Sequence, residues 1–214
     1  MANLLHIAGS PSGPASHSGS IARELVQAYR ESNPTASVAS IDVWNLELPD
    51  FDAAMIAAKF AVLRSREATD AQRAQWARAV CLSEAFNEAD SYVFSLPMWN
   101  FGIPYRLKHY IDIVTLPGQN WSWSRAEGYR PLLKNKRAVL VYSSAGDFSP
   151  DAATVHEDQQ KPFMRQWLRF IGVDVVEEIA VAPTLADPER LLQVKAAAVR
   201  QARAAALALG QAQG

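Results

Sequence analysis

Residues 91–104 read SYVFSLPMWNFGIP, and this stretch decides which fold the sequence predicts. Residues 91–96 are almost all apolar, aromatic or β-branched, which is typical of a strand buried on both faces of a parallel sheet. Pro97 ends the strand, and Pro104 suits the first turn of a following helix. The apolar stripe of that helix recurs at helical spacing as Leu107, Tyr110, Ile111 and Val114. The stretch is therefore one strand–loop–helix unit of an α/β protein.

The same unit repeats on both sides of this stretch. Strands are predicted at residues 4–8, 38–44, 91–96, 138–142 and 173–181. Helices are predicted at residues 16–33, 53–63, 69–88, 103–114, 160–171 and 187–210. Residues 116–136, which contain Trp121, Trp123 and Tyr129, are expected to be irregular. The alternation predicts one α/β domain over residues 1–214, a doubly wound, flavodoxin-like five-stranded parallel sheet of order 2-1-3-4-5 with helices on both faces.

Composition and charge exclude several classes of protein. The 214 residues are 49% hydrophobic and 20% charged, which excludes whole-chain disorder. The net charge of -1 gives no electrostatic reason to expect a nucleic acid or an anionic membrane as partner. No apolar run approaches the roughly 20 residues of a membrane span, and no secretory signal is recognisable, so a cytoplasmic protein is expected. The single cysteine, Cys81, cannot form an internal disulfide and is expected to be buried in a helix.

The loop after the first strand reads GSPSGPASHS over residues 9–18. It leads into a helix N-terminus, where free backbone N–H groups and the helix dipole favour an anion. It lacks the glycine pattern of dinucleotide-binding turns and the lysine of P-loops, and no Lys or Arg precedes Ser18. The pattern favours a phosphomonoester held by hydroxyls and amides, and a plain serine-capped loop is the alternative.

The loops after the third and fourth predicted strands suit a flat ring. Residues 97–104 place large apolar side chains around Asn100, whose amide both donates and accepts hydrogen bonds. The alternative is that Trp99 and Phe101 are core or dimer contacts. Residues 143–146 are small and let a ring approach the backbone, although a simple exit from a strand is also open. A phosphate site, an apolar clamp and a floor of small residues together describe flavin mononucleotide (FMN).

The chain resembles the FMN-dependent NADH-azoreductases, which are also described as FMN-dependent NADH:quinone oxidoreductases. The resemblance covers nearly the whole chain, and its specific part is the segment from Pro97 to Phe101 with the helix that follows. The motifs that carry it are Ser10 with Ser16-His17-Ser18, Pro97-Met98-Trp99-Asn100-Phe101, Leu107-Lys108-His109-Tyr110-Ile111-Asp112, Ser143-Ser144-Ala145-Gly146 and Phe170-Ile171-Gly172-Val173.

The resemblance implies FMN as cofactor, NADH or NADPH as electron donor, and a quinone or azo compound as acceptor in a two-electron ping-pong reaction. It assigns the FMN phosphate to Ser10, Ser16, His17 and Ser18. It assigns the isoalloxazine ring to Met98, Trp99, Asn100 and Phe101, and the far edge of the ring to Ser143, Ser144, Ala145 and Gly146. It implies a homodimer, with Trp121 and Trp123 walling the substrate pocket from the partner subunit. No catalytic side chain is required, since the flavin carries the chemistry. No metal site is expected.

This sequence departs from the family pattern at four positions. The third loop is commonly S-R-G-G, and here Ser144 replaces the arginine and Ala145 the first glycine. His17 stands where glutamine is frequent, and Trp99 where tyrosine is frequent. The loss of the arginine and the extra methyl group change the contacts expected at the flavin edge.

The sequence favours two other functions less. A flavodoxin-like electron carrier without its own substrate turnover is disfavoured, because such carriers are shorter and strongly acidic, and they lack the helical segment at 45–88. A serine hydrolase built on Gly146-Asp147-Phe148-Ser149 with His156 is disfavoured, because nothing in the sequence places a base beside the hydroxyl.

Overall fold

A five-stranded parallel sheet forms the centre of the molecule. The structure is a computed structural model that describes residues 3–64 and 67–210. Its strands are β1 (Asn3–Ala8), β2 (Ser37–Asp42), β3 (Ser91–Pro97), β4 (Trp121–Ser124), β5 (Gly128–Pro131), β6 (Lys136–Ser143) and β7 (Val173–Val181). The parallel strands lie in the order β2-β1-β3-β6-β7, and β4 and β5 form a separate antiparallel pair. Numbered without that pair, the order is the predicted 2-1-3-4-5.

The helices cover both faces of the sheet. They are α1 (His17–Ser32), α2 (Ala53–Arg64), α3 (Asp70–Asn87), α4 (Tyr105–Val114), α5 (Gln160–Ile171) and α6 (Pro188–Gly210). Alternate residues of β3 show the division, because Val93 packs with α1 and α6 while Phe94 packs with α3, α4 and α5. Burial of β3 on both faces explains why its sequence is apolar without alternation. The predicted flavodoxin-like fold is confirmed.

The capping and stop signals act as expected. Thr69 caps α3 in a reciprocal capping box with Gln72. Gly172 ends α5 in the left-handed conformation, with φ of 92°. The second strand is shorter than predicted, because it ends at Asp42. Val43 and Trp44 therefore lie in the loop at the carboxyl end of the sheet.

The prediction that residues 116–136 are irregular is wrong. Residues 121–131 form the β4–β5 hairpin, in which Trp123 pairs with Tyr129. Strands of four residues give little periodic signal, and this hairpin depends on tertiary packing. The rings of Trp121 and Tyr129 pack at an angle against the ring of Phe170 in α5, with centroids 5.5 and 5.7 Å from it.

The prediction that Cys81 is buried is also wrong. Cys81 lies in α3 as expected, but on its exposed side. The face of α3 that packs inward carries Trp76, Ala79, Ser83 and Phe86. Helical spacing from Trp76 and Ala79 leads to Ser83 and Phe86 rather than to Cys81. No described helix is long and apolar enough to cross a membrane.

Candidate functional site

Three loops converge at the carboxyl edge of the sheet. They follow β1, β3 and β6, which are neighbours, so adjacency in the sheet brings distant stretches of sequence together. The Gly9 N–H donates to the Ser95 carbonyl over 2.8 Å, which joins the first loop to β3. The Met98 N–H donates to the Ser143 carbonyl over 2.7 Å, which joins the second loop to the third. Eleven of the twelve residues that the sequence singled out belong to these three loops or to the first turn of α1, and the twelfth, Ser143, is the last residue of β6.

The first loop ends in buried hydroxyls and in backbone N–H groups without an acceptor in the described part of the chain. Ser10, Ser16 and Ser18 are buried. The Ser16 hydroxyl caps α1 by accepting the Gly19 N–H over 3.0 Å. The backbone N–H groups of His17 and Ser18 have no acceptor within the described ranges, as expected for the first residues of a helix. This corner therefore presents hydroxyls and free amides to a common point, as an anion requires.

His17 carries the clearest sign that something else belongs here. Its Nδ1 atom is buried and has no hydrogen-bond partner, although the ring as a whole is half-buried. Burial, and then the charge of Lys195, lower the pKa of His17 below its ordinary value. An unpaired buried polar atom is costly, and a phosphate oxygen at this position would satisfy it. The residues present thus fit a phosphate group.

The second loop is a tight turn with an unusual residue at its tip. Trp99 and Gly102 exchange both backbone hydrogen bonds, at 3.0 and 2.9 Å. The two central residues, Asn100 and Phe101, both have positive φ, at 46° and 68°. This is a type I′ turn, which favours Asn followed by Gly. Phenylalanine is strained in this conformation, and strained residues cluster at ligand clamps. The turn holds the Phe101 ring half-exposed at the mouth of the site.

Because of the positive φ at Phe101, we expect glycine to be more stabilising than alanine at this position, which reverses their usual order. Glycine is usually less stabilising than alanine, but at positive φ the order reverses, so Phe101→Gly should be more stable to urea than Phe101→Ala by about 1 kcal/mol. Both variants lose the ring equally, and we expect each to weaken FMN binding about tenfold. Urea unfolding of the flavin-free proteins and flavin titration measure the two effects. Equal stability of the two variants would show that the turn is not strained.

An aromatic wall that the sequence did not predict lies behind this turn. Trp44 packs against Trp99 and Tyr105, with ring centroids 5.5 and 5.3 Å apart. Its indole N–H donates to the Gly9 carbonyl over 3.0 Å. Trp44 therefore connects the first loop to the second. Trp44 reaches this position because β2 ends at Asp42. The sequence predicts a strand that continues to residue 44, so it does not place Trp44 at the site.

Residues at the start of α5 hold the second loop and the segment after β6 by hydrogen bonds. The buried Gln160 side chain donates to the Pro97 carbonyl over 2.7 Å, and the Gln159 N–H donates to the Phe101 carbonyl over 2.9 Å. Lys161 donates to the Phe148 carbonyl over 3.1 Å. A cleft of about 410 Å³ opens beside Met98 and Ser144. These bonds make the clamp rigid, as a site that orients a ring requires.

The third loop presents backbone and small side chains. The Ser144 hydroxyl donates to the Gly146 carbonyl over 2.8 Å. The Thr184 and Leu185 N–H groups donate to the Ser144 and Ala145 carbonyls, which ties this loop to the segment before α6. Ala145 and Gly146 are exposed and leave room for a ring edge.

Two tryptophans expected at the substrate pocket lie elsewhere in the same chain. Trp121 and Tyr129 pack on Phe170, at the end of α5 remote from Gln160. Ten residues of helix separate Phe170 from Gln160, which is about 15 Å. Trp121 and Trp123 therefore do not wall this chain's own site.

His6, in the strand that precedes the first loop, is held in its neutral form. Burial, and then the charge of Arg23, lower the pKa of His6 to about 4, so the ring is neutral at pH 7. Its Nε2 lies 2.9 Å from the Ser95 hydroxyl inside the sheet. Among the residues of ranges 3–64 and 67–210, no group of histidine, cysteine and carboxylate side chains is placed to bind a metal. The arrangement is suited to holding a planar anionic ligand.

The chain matches a family model and named bacterial proteins over nearly its whole length. A family model described as "Flavodoxin-like fold" matches residues 2–206. A protein of Pseudomonas fluorescens Pf-5 named "FMN-dependent NADH:quinone oxidoreductase 3" is 38% identical over 208 residues, which covers 96% of each chain. A protein of Desulfotalea psychrophila named "FMN-dependent NADH:quinone oxidoreductase" is 34% identical and covers 94% of this chain and 95% of its own.

A solved structure shares the fold. The FMN-dependent NADH-azoreductase of Bacillus anthracis, solved in complex with FMN, superposes with a TM-score of 0.86 at 24% identity. The match covers 98% of this chain and 99% of that one.

Proposed function

This chain belongs to the flavodoxin-like fold family matched above, and we propose that it is an FMN-dependent NADH:quinone oxidoreductase that also reduces azo compounds. The observation that carries the proposal is the unpaired, buried Nδ1 of His17 in a corner of hydroxyls and free amides, beside a rigid aromatic turn. A phosphate and a flat ring joined in one ligand would use both features. An electron carrier without its own substrate turnover is not favoured.

We assign the FMN contacts loop by loop. The phosphate is held by the hydroxyls and amides of Ser10, Ser16, His17 and Ser18. The ring is held by Met98, Trp99, Asn100 and Phe101. Its far edge lies against Ser143, Ser144, Ala145 and Gly146. The support for this assignment is that the Ser143 carbonyl accepts the Met98 N–H and that the small residues Ala145 and Gly146 are exposed.

The chain contributes position and environment to the reaction. When bound, FMN supplies the hydride chemistry, and the protein needs no acid or base of its own. The type I′ turn presents the half-exposed rings of Trp99 and Phe101 as apolar walls that exclude water from one side. The backbone N–H groups of Ala145 and Gly146, which have no acceptor in the described part of the chain, offer hydrogen-bond donors to negative charge that develops on the ring edge. One open pocket serves donor and acceptor in turn, which gives ping-pong kinetics.

We also propose that two copies of the chain form a homodimer in the cytoplasm. Trp123 and Tyr129 are more than half exposed on the hairpin, at 60% and 65%, and exposed aromatic surface of this kind marks interaction sites. A partner subunit's hairpin is a suitable cover for the open aromatic turn, which agrees with the expectation that Trp121 and Trp123 wall the substrate pocket from the partner subunit. A single exposed cysteine suits a reducing compartment. Light scattering of the purified protein tests the dimer.

The central test is the flavin content and reactivity of the purified protein. We expect a yellow protein whose released cofactor has the mass and spectrum of FMN. Rapid mixing with NADH under anaerobic conditions should bleach the flavin absorbance, and a quinone should restore it. Initial rates at paired NADH and quinone concentrations should give parallel double-reciprocal lines. A protein that does not take up added FMN contradicts the proposal.

A further inference from the structure

The phosphate corner contains no cation from its own segment of sequence. Residues 9–18 hold no lysine or arginine, and a phosphomonoester carries up to two negative charges. Arg23 lies nearby, but it donates to the Pro14 carbonyl over 3.0 Å. Helix α6 approaches this corner from the other end of the chain.

The register of α6 against α1 is fixed by contacts farther along the two helices. Both helices pack on the same face of the sheet. The Arg203 guanidinium lies 3.2 Å from Glu24 and 3.8 Å from Glu31. Gly210 lies against the side chain of Asn33, which caps the end of α1. The two helices therefore run parallel and rise equally per residue.

Counting back along both helices leads to the phosphate corner. Fifteen residues before Gly210 on α6 is Lys195, and fifteen residues before Asn33 on α1 is Ser18. Eight residues before Arg203 is again Lys195, level with the first two turns of α1. Lys195 is thus level with the first turns of α1, which begin at His17 and Ser18.

The side of α6 that bears Lys195 is the packed side. Steps of three and four residues from Lys195 lead to Ala198, Ala202, Ala205 and Leu209, which are all buried. Lys195 therefore lies on the same side of α6 as these residues. Lys195 is accordingly half-buried. It makes no hydrogen bond or ion pair with any residue in the described part of the chain.

We propose that Lys195 supplies the positive charge for the FMN phosphate, across from His17. The inference rests on the proposed function, and it names a cofactor-positioning residue outside the three loops. The charge of Lys195 already reaches His17, whose pKa it helps to lower. A dianionic phosphate between the lysine and the unpaired Nδ1 of His17 satisfies both groups at once.

The test compares flavins with and without the phosphate. We expect Lys195→Met to weaken FMN binding about tenfold and to leave riboflavin binding unchanged, since only FMN carries the anion. Lys195→Arg should stay within about threefold of the wild type, because the charge is kept. Arg200→Met, an exposed position on α6, removes the same charge elsewhere and serves as the matched control. Raising the salt concentration should narrow the difference between Lys195→Met and the wild type.

A measurement without flavin separates this inference from the proposed function. In the apoprotein, Lys195→Met should raise the pKa of the His17 ring, followed by NMR, whereas Arg200→Met should not. A wild-type protein that binds no FMN overturns the proposed function. A wild type that binds FMN together with a Lys195→Met variant of equal affinity overturns the inference alone. Lys195→Met should unfold near the wild-type temperature, because Lys195 makes no hydrogen bond or ion pair with a described residue.

Discussion

Replacing Ser16 with aspartate should remove tight FMN binding without harming the fold. Aspartate is as good a helix N-cap as serine, and its charge interacts favourably with the helix dipole, so the variant should keep its stability to within about 1 kcal/mol. The same carboxylate stands where the phosphate is proposed to bind. The aspartate carboxylate and the phosphate repel each other in this partly buried corner. The repulsion should raise the Kd for FMN about 100-fold, which is a loss of about 2.7 kcal/mol of binding free energy.

The controls for this variant isolate charge from structure. Riboflavin has no phosphate, so its affinity for Ser16→Asp should change little. Thr69→Asp places aspartate at the N-cap of α3, outside the three loops, and should leave FMN binding at the wild-type value. Fluorescence titration of each apoprotein with both flavins gives the affinities, and thermal unfolding checks the fold. An equal loss of FMN and riboflavin in Ser16→Asp would mean that the corner is not a phosphate site.

Substituting alanine for Gly172 should destabilise the protein by about 4 kcal/mol. Gly172 has a φ of 92°, which an alanine adopts only at a cost. An added Cβ would lie 2.2 Å from the Leu133 carbonyl oxygen and 3.0 Å from the Pro131 side chain. The Leu133 N–H is bonded to the Ile171 carbonyl, so that segment cannot move away without losing its contact. The substitution therefore forces apart the end of α5 and the segment that connects β5 to β6.

Gly118→Ala is the matched control for this substitution. Gly118 also has a positive φ, at 80°, but an added Cβ there meets nothing within 4 Å. It should cost only the conformational term of about 1 kcal/mol. Urea unfolding of the flavin-free proteins gives both values. If the two variants lose the same stability, the close approach of Leu133 contributes nothing and the hairpin is not fixed by Gly172.

The regular elements were open to prediction because their signals are local. β3 is apolar without alternation because both its faces are covered, and that requirement leaves its mark on consecutive residues. The Thr69 capping box, Pro188 in the first turn of α6 and Gly172 at the end of α5 each mark a helix boundary by backbone chemistry alone. Alternation of such elements then restricts the topology, because parallel strands need crossover connections.

The hairpin was not open to prediction in the same way. Trp121 and Tyr129 form strands because Phe170, about 40 residues after Tyr129, offers a ring to pack against. That partner is distant in the sequence. The exposed position of Cys81 is a different case, because it follows from the helical spacing of its near neighbours Trp76 and Ala79, which α3 turns inward.

The sequence alone determined the three loops, since each follows a strand and its composition suits the phosphate, ring or ring edge that we propose for it. Only the tertiary structure decided which further side chains reach those loops. Trp44 joins the first loop to the second, the Gln160 side chain donates to the Pro97 carbonyl at the start of the second loop, and the register of α6 on α1 brings Lys195 level with the first turns of α1. The physical reason is that strand and helix signals act between neighbours along the chain, whereas a binding corner is assembled by the register of elements far apart in it.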